Sequence, residues 1–179
     1  VTAIDQLRLY DAETGKQIAQ LSEIQRGDGG FMPGSQFTIH LSGDGKRMIY
    51  LDQWRKVALY DLETGKPIDI APLDIAGGRR TPRQTGLTSD GKRLVMADPR
   101  GLTVVDLASG KNVQSIGFES QPDSPPARIA QLVVSPTEDR VAILTMYSRS
   151  GTRLSVWDFS GEQPVKSLDI ESLTPNVID

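Results

Sequence analysis

The stretch Leu87–Ile116, LTSDGKRLVMADPRGLTVVDLASGKNVQSI, carries the pattern that decides the fold. With the residues just before it, it contains four short runs separated by turn residues. Gln84–Thr88 reads as a strand, here called a. Ser89-Asp90-Gly91-Lys92 is a turn in which Gly91 can take a positive φ. Arg93–Ala97 reads as strand b, Asp98-Pro99-Arg100-Gly101 as a second turn and Leu102–Leu107 as strand c. Ala108-Ser109-Gly110-Lys111 turns the chain again, and Asn112–Ile116 is strand d. Strands of about five residues joined by turns of about four make an antiparallel meander.

The rest of the chain repeats this unit. The a-to-b turn reads Ser42-Gly43-Asp44-Gly45-Lys46-Arg47, then Ser89-Asp90-Gly91-Lys92-Arg93, then Ser135-Pro136-Thr137-Glu138-Asp139-Arg140. Strand c ends in Tyr10-Asp11, Tyr60-Asp61, Val105-Asp106 and Trp157-Asp158. Glu13-Thr14-Gly15-Lys16, Glu63-Thr64-Gly65-Lys66 and Ala108-Ser109-Gly110-Lys111 follow three of them. The strand c aspartates are 50, 45 and 52 residues apart. Four strands per repeat at that period is the signature of propeller blades.

The aromatic-Asp pairs, the Thr-Gly-Lys turns and the Asp-Gly-Lys-Arg turns resemble the WD-repeat and surface-layer (YVTN-type) β-propellers over nearly the whole chain. The resemblance implies the fold, and such propellers host many roles. The Gly-His pair that eukaryotic WD-repeats carry before strand a is absent, and the one histidine, His40, lies inside a strand. The bacterial type of repeat fits better, with a cytoplasmic or periplasmic location.

The expected fold is therefore all-β, with four-stranded antiparallel blades, about three and a half to four of them, forming a segment of a larger propeller. Residues 1–179 read as one such segment. A partial blade covers 1–21, opening inside strand b, and complete blades cover 37–71, 84–116 and 129–170. Residues 174–179 offer a strand that could close a four-bladed ring, but their connection is much shorter than the other blade-to-blade loops. The remaining blades are expected from the rest of a longer polypeptide.

Composition narrows the chemistry. Hydrophobic content is 37%, and 17 Gly with 11 Pro suit a turn-rich β protein. A net charge of -3 gives no bulk attraction for nucleic acid. There is no cysteine, so no disulfide, thiol nucleophile or thiolate metal ligand is available. No apolar run reaches membrane-span length. A lone histidine cannot build a His-ligated metal or haem site by itself, and His40 reads as a strand-packed or partly exposed residue. Asp11, Asp61, Asp106 and Asp158 occupy equivalent blade positions and read as acceptors for backbone N–H groups in their own turns. Arg26-Gly27-Asp28 is a chance tripeptide in a glycine-rich loop. No catalytic residue, cofactor site or metal site is assigned.

The arginines are distributed unevenly. In a propeller the b-to-c and d-to-a connections share one face, and the a-to-b and c-to-d turns share the other. The first set holds nine of the 13 arginines but one of the seven lysines. Ten cationic and eight acidic residues share those loops, so the placement of Arg matters more than net field. Arg suits interfaces and bidentate carboxylate or phosphate contacts, whereas Lys suits a solvated surface. Trp54 and Arg55 sit in one b-to-c turn, with Phe31 and Met32 in a loop on the same face. Arg79, Arg80 and Arg83 precede the third blade, and Arg100, Arg149 and Arg153 lie in or beside later b-to-c turns. These residues are expected to bind an acidic or phosphorylated protein partner on a non-catalytic scaffold. The competing expectation is a propeller hydrolase or lactonase, or the sensor domain of a larger protein.

Overall fold

Alternation along Arg93–Asp98 puts Leu94 and Met96 on one face of the strand and Val95 and Ala97 on the other. All four are at most 5% exposed, so this sheet is covered on both sides. That double burial governs the architecture of the computed structural model of the chain, which describes residues 7–11, 13–21, 37–52, 57–73, 84–118, 128–147, 151–159 and 164–170.

The described residues form strands and turns, with no helix. β1 (Leu7–Tyr10) and β2 (Gln17–Leu21) pair as a hairpin. β3 (Phe37–Leu41), β4 (Arg47–Asp52), β5 (Val57–Asp61) and β6 (Pro67–Ile68) form a meander. A second meander comprises β7 (Gln84–Leu87), β8 (Arg93–Asp98), β9 (Gly101–Asp106) and β10 (Asn112–Gly117). A third comprises β11 (Arg128–Val134), β12 (Arg140–Tyr147), β13 (Gly151–Asp158) and β14 (Pro164–Ile170). These are the four-stranded antiparallel blades that the repeat implies. The proposed closing strand, 174–179, lies outside the described residues.

The turn chemistry recurs from blade to blade. The amides of Ser42, Thr88 and Ser135 donate to the carbonyls of Arg47, Arg93 and Arg140 at 2.9, 3.0 and 2.8 Å. The structural counterpart of Ser42 is thus Thr88, one residue before the Ser89 that the sequence alignment suggested. The Ser42 and Thr88 hydroxyls donate to Asp44 and Asp90 at 2.6 and 2.7 Å, and Gly45 and Gly91 have φ of 69° and 65°.

At the c-to-d turns, Asp11 accepts from the amide and hydroxyl of Thr14 at 2.7 and 2.6 Å. Asp61 does the same with Thr64, and Asp106 with Ser109. These bonds hold all three carboxyls below their usual pKa. The expectation that these aspartates serve their own turns is met. Asp158 lies 3.8 Å from Arg140, and the turn that follows it is outside the described residues. The register places Arg47 opposite Asp61, Arg93 opposite Asp106 and Arg140 opposite Asp158, so each blade begins b and ends c with a cross-strand charge pair.

Among the described residues, two apolar seams join the three four-stranded blades. Ile49, Leu51 and Leu59 meet Leu87, Leu94, Met96, Val105 and Leu107. Val95, Ala97, Leu102, Val104 and Ile116 meet Ile129, Leu132, Val141, Ile143, Trp157 and Phe159. At about 25 cal/mol per Å² of apolar area removed from water, these seams are the main stabilising term. Trp157 packs its ring 5.6 Å from that of Phe118, and its buried Nε1 has no hydrogen-bond partner among the described residues.

Polar contacts fix how neighbouring blades are set. On the first strands, His40 Nε2 lies 2.7 Å from Thr85 Oγ1, and Gln84 Nε2 donates to the Ala130 carbonyl at 3.2 Å. At the turns, Arg47 Nη1 donates to the Gly91 carbonyl at 3.3 Å, Arg93 Nη1 lies 3.7 Å from Asp139 Oδ2, and Ser89 Oγ donates to Pro136 O at 2.7 Å.

One strand is shorter than its sequence suggests. The apolar run 67–71 predicts five residues, but β6 has two. Past it the chain crosses to the third blade, where the Ala71 amide donates to the Leu107 carbonyl at 3.2 Å. The Pro72 carbonyl lies against Gly110, whose φ is 70°. Gly45, at φ 69°, faces open space. Gly45→Ala should therefore cost only the left-handed backbone penalty, about 1 kcal/mol. Gly110→Ala adds a collision with backbone and should cost at least about 1 kcal/mol more. Urea unfolding of both variants checks the difference, and equal losses would show that the Pro72 contact yields freely.

Candidate partner-binding face

The Asp98-Pro99-Arg100-Gly101 sequence is a turn because Asp98 Oδ1 accepts from the Arg100 amide at 2.7 Å and the Gly101 amide at 3.2 Å. The Phe118 amide closes the same corner by donating to the Arg100 carbonyl at 2.9 Å. The turn backbone is thus held on both sides while Arg100 itself is exposed. Its guanidinium has no ion-pair partner among the described residues. An exposed cation on an ordered turn loses little backbone entropy when it meets an anion.

At the same end of the fourth blade, β12 and β13 converge with Tyr147 opposite Gly151. The Arg153 guanidinium carbon lies 5.8 Å from the centre of the Tyr147 ring, a cation–π contact. Arg128 begins β11 at that end and is exposed, and Met146, opposite it in register, is 48% exposed. Arginine, tyrosine and methionine side by side have the composition of protein interfaces. The sequence reading included Arg153 and missed Tyr147. The available signal was the short connection between two long strands, which brings the residues on either side of it together.

Of the residues expected on this face, Arg100 and Arg153 are described and lie on it. Trp54, Arg55, Arg79, Arg80, Arg83 and Arg149 lie outside the described residues, as do Arg26, Phe31 and Met32. One part of the expected face needs correcting. A d-to-a connection is expected to lie wholly on it, yet at the start of the connection between the second and third blades Ala71 and Pro72 pack on the opposite face, against Leu107 and Gly110.

That opposite face carries Lys16, Lys46, Lys66, Lys92 and Lys111, all exposed. Its arginines behave differently, since Arg47 and Arg93 are half-buried and cross to the next blade's turn. There Arg serves the seam and Lys serves solvent.

Among the described residues, no group of three or more His, Cys, Asp or Glu is placed to hold a metal ion. The described residues contain no helix, and hence none long and apolar enough to cross a membrane. His40 sits between the first strands of two blades, against Thr85.

No family model matches the chain, and no curated protein matches it. Solved structures do. The chain is similar to the Cps50 (Swd1) β-propeller domain of Myceliophteria thermophila, with 19% identity and a TM-score of 0.59 over 93% of this chain and 50% of that one. It is similar to U3-55K, with 14% identity and a TM-score of 0.54 over 79% and 42%. It is also similar to the WD40 repeats of RRP9, with 15% identity and a TM-score of 0.53 over 78% and 40%. The fold is that of a β-propeller. The chain spans half the length, or less, of each of these structures.

Burial lowers the His40 pKa below the ordinary imidazole value of 6.5. The unfolded chain then binds the proton more tightly than the native state does. Stability should be complete above pH 6.5 and fall as pH drops from there through the lowered native value. His40→Gln should flatten that part of the stability-against-pH curve, measured by urea unfolding between neutral pH and the carboxylate range. An unchanged curve would rule out His40 as the titrating group.

Proposed function

We propose that the chain is a non-catalytic interaction scaffold whose Arg-bearing face takes a carboxylate- or phosphate-bearing segment of a protein partner. The observation that carries this reading is Arg100, exposed on a turn that Asp98 orders, with the Arg153–Tyr147 pair at the same end of the neighbouring blade. Residues 1–179 act in this reading as one propeller segment. The absence of a Gly-His pair before strand a supports a bacterial, surface-layer type of repeat.

Trp54, Arg55, Arg79, Arg80, Arg83 and Arg149 belong to the same proposed surface through their place in the repeat. A guanidinium offers two parallel N–H donors to one anionic group, which fixes geometry as well as charge. Trp54 and Tyr147 add apolar area that a lysine-covered surface lacks. The exposed lysines of the opposite face keep full hydration and offer no such fork.

Replacing Arg79, Arg80 and Arg83 together by Lys keeps the charge and removes the fork. Affinity for a partner isolated by pull-down should fall by about tenfold or more. Arg100→Lys with Arg153→Lys should weaken it in the same direction. Replacing Lys46, Lys66, Lys92 and Lys111 by Gln should change it less than about twofold. Loss of binding in the lysine variant with none in the arginine variants would put the partner on the other face.

A further inference from the structure

The middle strands of the fourth blade stand higher than those of the third. β12 and β13 have eight residues each, whereas β8 and β9 have six. Arg140 opposite Asp158 and Arg93 opposite Asp106 set the two hairpins level at the lysine-bearing end. The two extra residues of each strand therefore lie at the other end, about 7 Å above the level where β8 gives way to its turn. Met146 and Tyr147 end β12 there, and Arg128 opens β11 opposite Met146. Counted from the arginine that begins each b strand, the third-blade equivalent of Met146 is Pro99, exposed in a turn.

This projection puts a thioether in solvent. Met146 is 48% exposed, whereas Met48 and Met96, the other described methionines, are 3% and 5% exposed. Met96 is enclosed in the seam between the second and third blades, and Met48 packs with Tyr60, Ile39 and Leu62. Oxidation of a methionine follows the access of its sulfur to a polar oxidant. A sulfur walled in by apolar side chains has no such access, and one on a projecting strand end does.

Its neighbours give that chemistry a consequence. The register places Arg128 on one side of Met146 and Thr152 on the other, all three on one face of the sheet. Directly opposed residues have Cβ atoms about 5 Å apart, within reach of an unbranched side chain with three rotatable bonds. A thioether sulfur is a weak acceptor, and oxidation turns it into a polar S–O group. The Thr152 hydroxyl offers that oxygen a neutral hydrogen bond. The exposed Arg128 guanidinium offers a charge-assisted one, which is the stronger of the two.

We propose that Met146 is a selective oxidation site for peroxide, and that its sulfoxide caps the Arg128 guanidinium. The sulfur lone pair attacks one oxygen of hydrogen peroxide. An S–O bond forms, the O–O bond breaks, and the departing oxygen leaves as water. Sulfur loses the two electrons that the peroxide gains, and a methionine sulfoxide reductase reverses the change. Selectivity stands on exposure, and capping stands on the register. Capping also withdraws one cation from the Arg-bearing face, so its effect on a partner rests on the scaffold reading of that face.

The test uses the 179-residue chain carrying Met32→Leu, so that Met146 and the two buried methionines are the ones compared. Under about 1 mM hydrogen peroxide, peptide mass spectrometry should show Met146 oxidised at least about tenfold faster than Met48 and Met96. Equal rates would overturn the proposed selectivity. On oxidation the Arg128 Nε–H resonance, followed by heteronuclear NMR, should shift, and in Met146→Leu treated alike it should stay. A resonance that ignores oxidation would overturn the capping. Affinity for a partner isolated by pull-down should fall about threefold on oxidation and recover with methionine sulfoxide reductase. That fall should vanish in Arg128→Gln, and a fall of the same size there would show that Arg128 is not the group capped. A partner that needs Arg100 and Arg153 yet binds the oxidised chain undiminished would overturn the regulation and leave the scaffold reading standing. A partner indifferent to Arg100 and Arg153, with selectivity and resonance shift as expected, would overturn the scaffold reading and support the oxidation site.

Discussion

Each blade of this protein is a thin sheet with two apolar faces, and everything else follows from the need to cover both. Leu94 and Met96 cannot be solvated on one side while Val95 and Ala97 are solvated on the other, so the third blade exists as a folded unit only between two neighbours. An isolated sheet of this kind would leave both apolar faces in water. The repeat is the solution, because a face that fits the blade behind also fits the blade ahead.

Apolar seams are not directional, so polar groups fix how the blades are set. The His40–Thr85 and Gln84–Ala130 contacts pin the first strands to each other. Arg47 and Arg93 pin the turns. These groups sit at seam edges, where a charged side chain stays partly hydrated and still reaches a neighbour. The a-to-b turns are thereby committed to joining the blades. Turns on the opposite face, such as the one Asp98 orders around Arg100, are held internally and leave their side chains available. Division of labour between the two faces follows from where the interblade contacts fall.

Much of the local structure was legible in the residues. Short strands, the period of the strand c aspartates and the turn glycines follow from alternation and from the few residues that tolerate positive φ. Gly45, Gly65, Gly91 and Gly110 all adopt it, at 65 to 70°. The alignment of Ser89 with Ser42 failed because Ser and Thr hydroxyls are interchangeable as acceptors and donors. Thr88, not the matching letter, makes the bonds to Asp90 and Arg93. The run 67–71 failed as a full strand because its edge has two possible backbone partners, and Leu107 of the next blade wins over the strand beside it.

By itself, then, the sequence determined the strands, their turns, the meander and the kinship of the blades, because those depend on residues a few places apart. Tertiary structure alone decided which apolar face is covered, which arginines are spent on seams and where Arg153 meets Tyr147. Each of those depends on distances between residues separated by a whole strand or a whole blade, and periodicity along the chain carries no record of them. The outer face of the fourth blade is the clearest case: Leu102 and Leu154 are equivalent letters in equivalent strands, and only packing makes one of them core and leaves the other partly exposed.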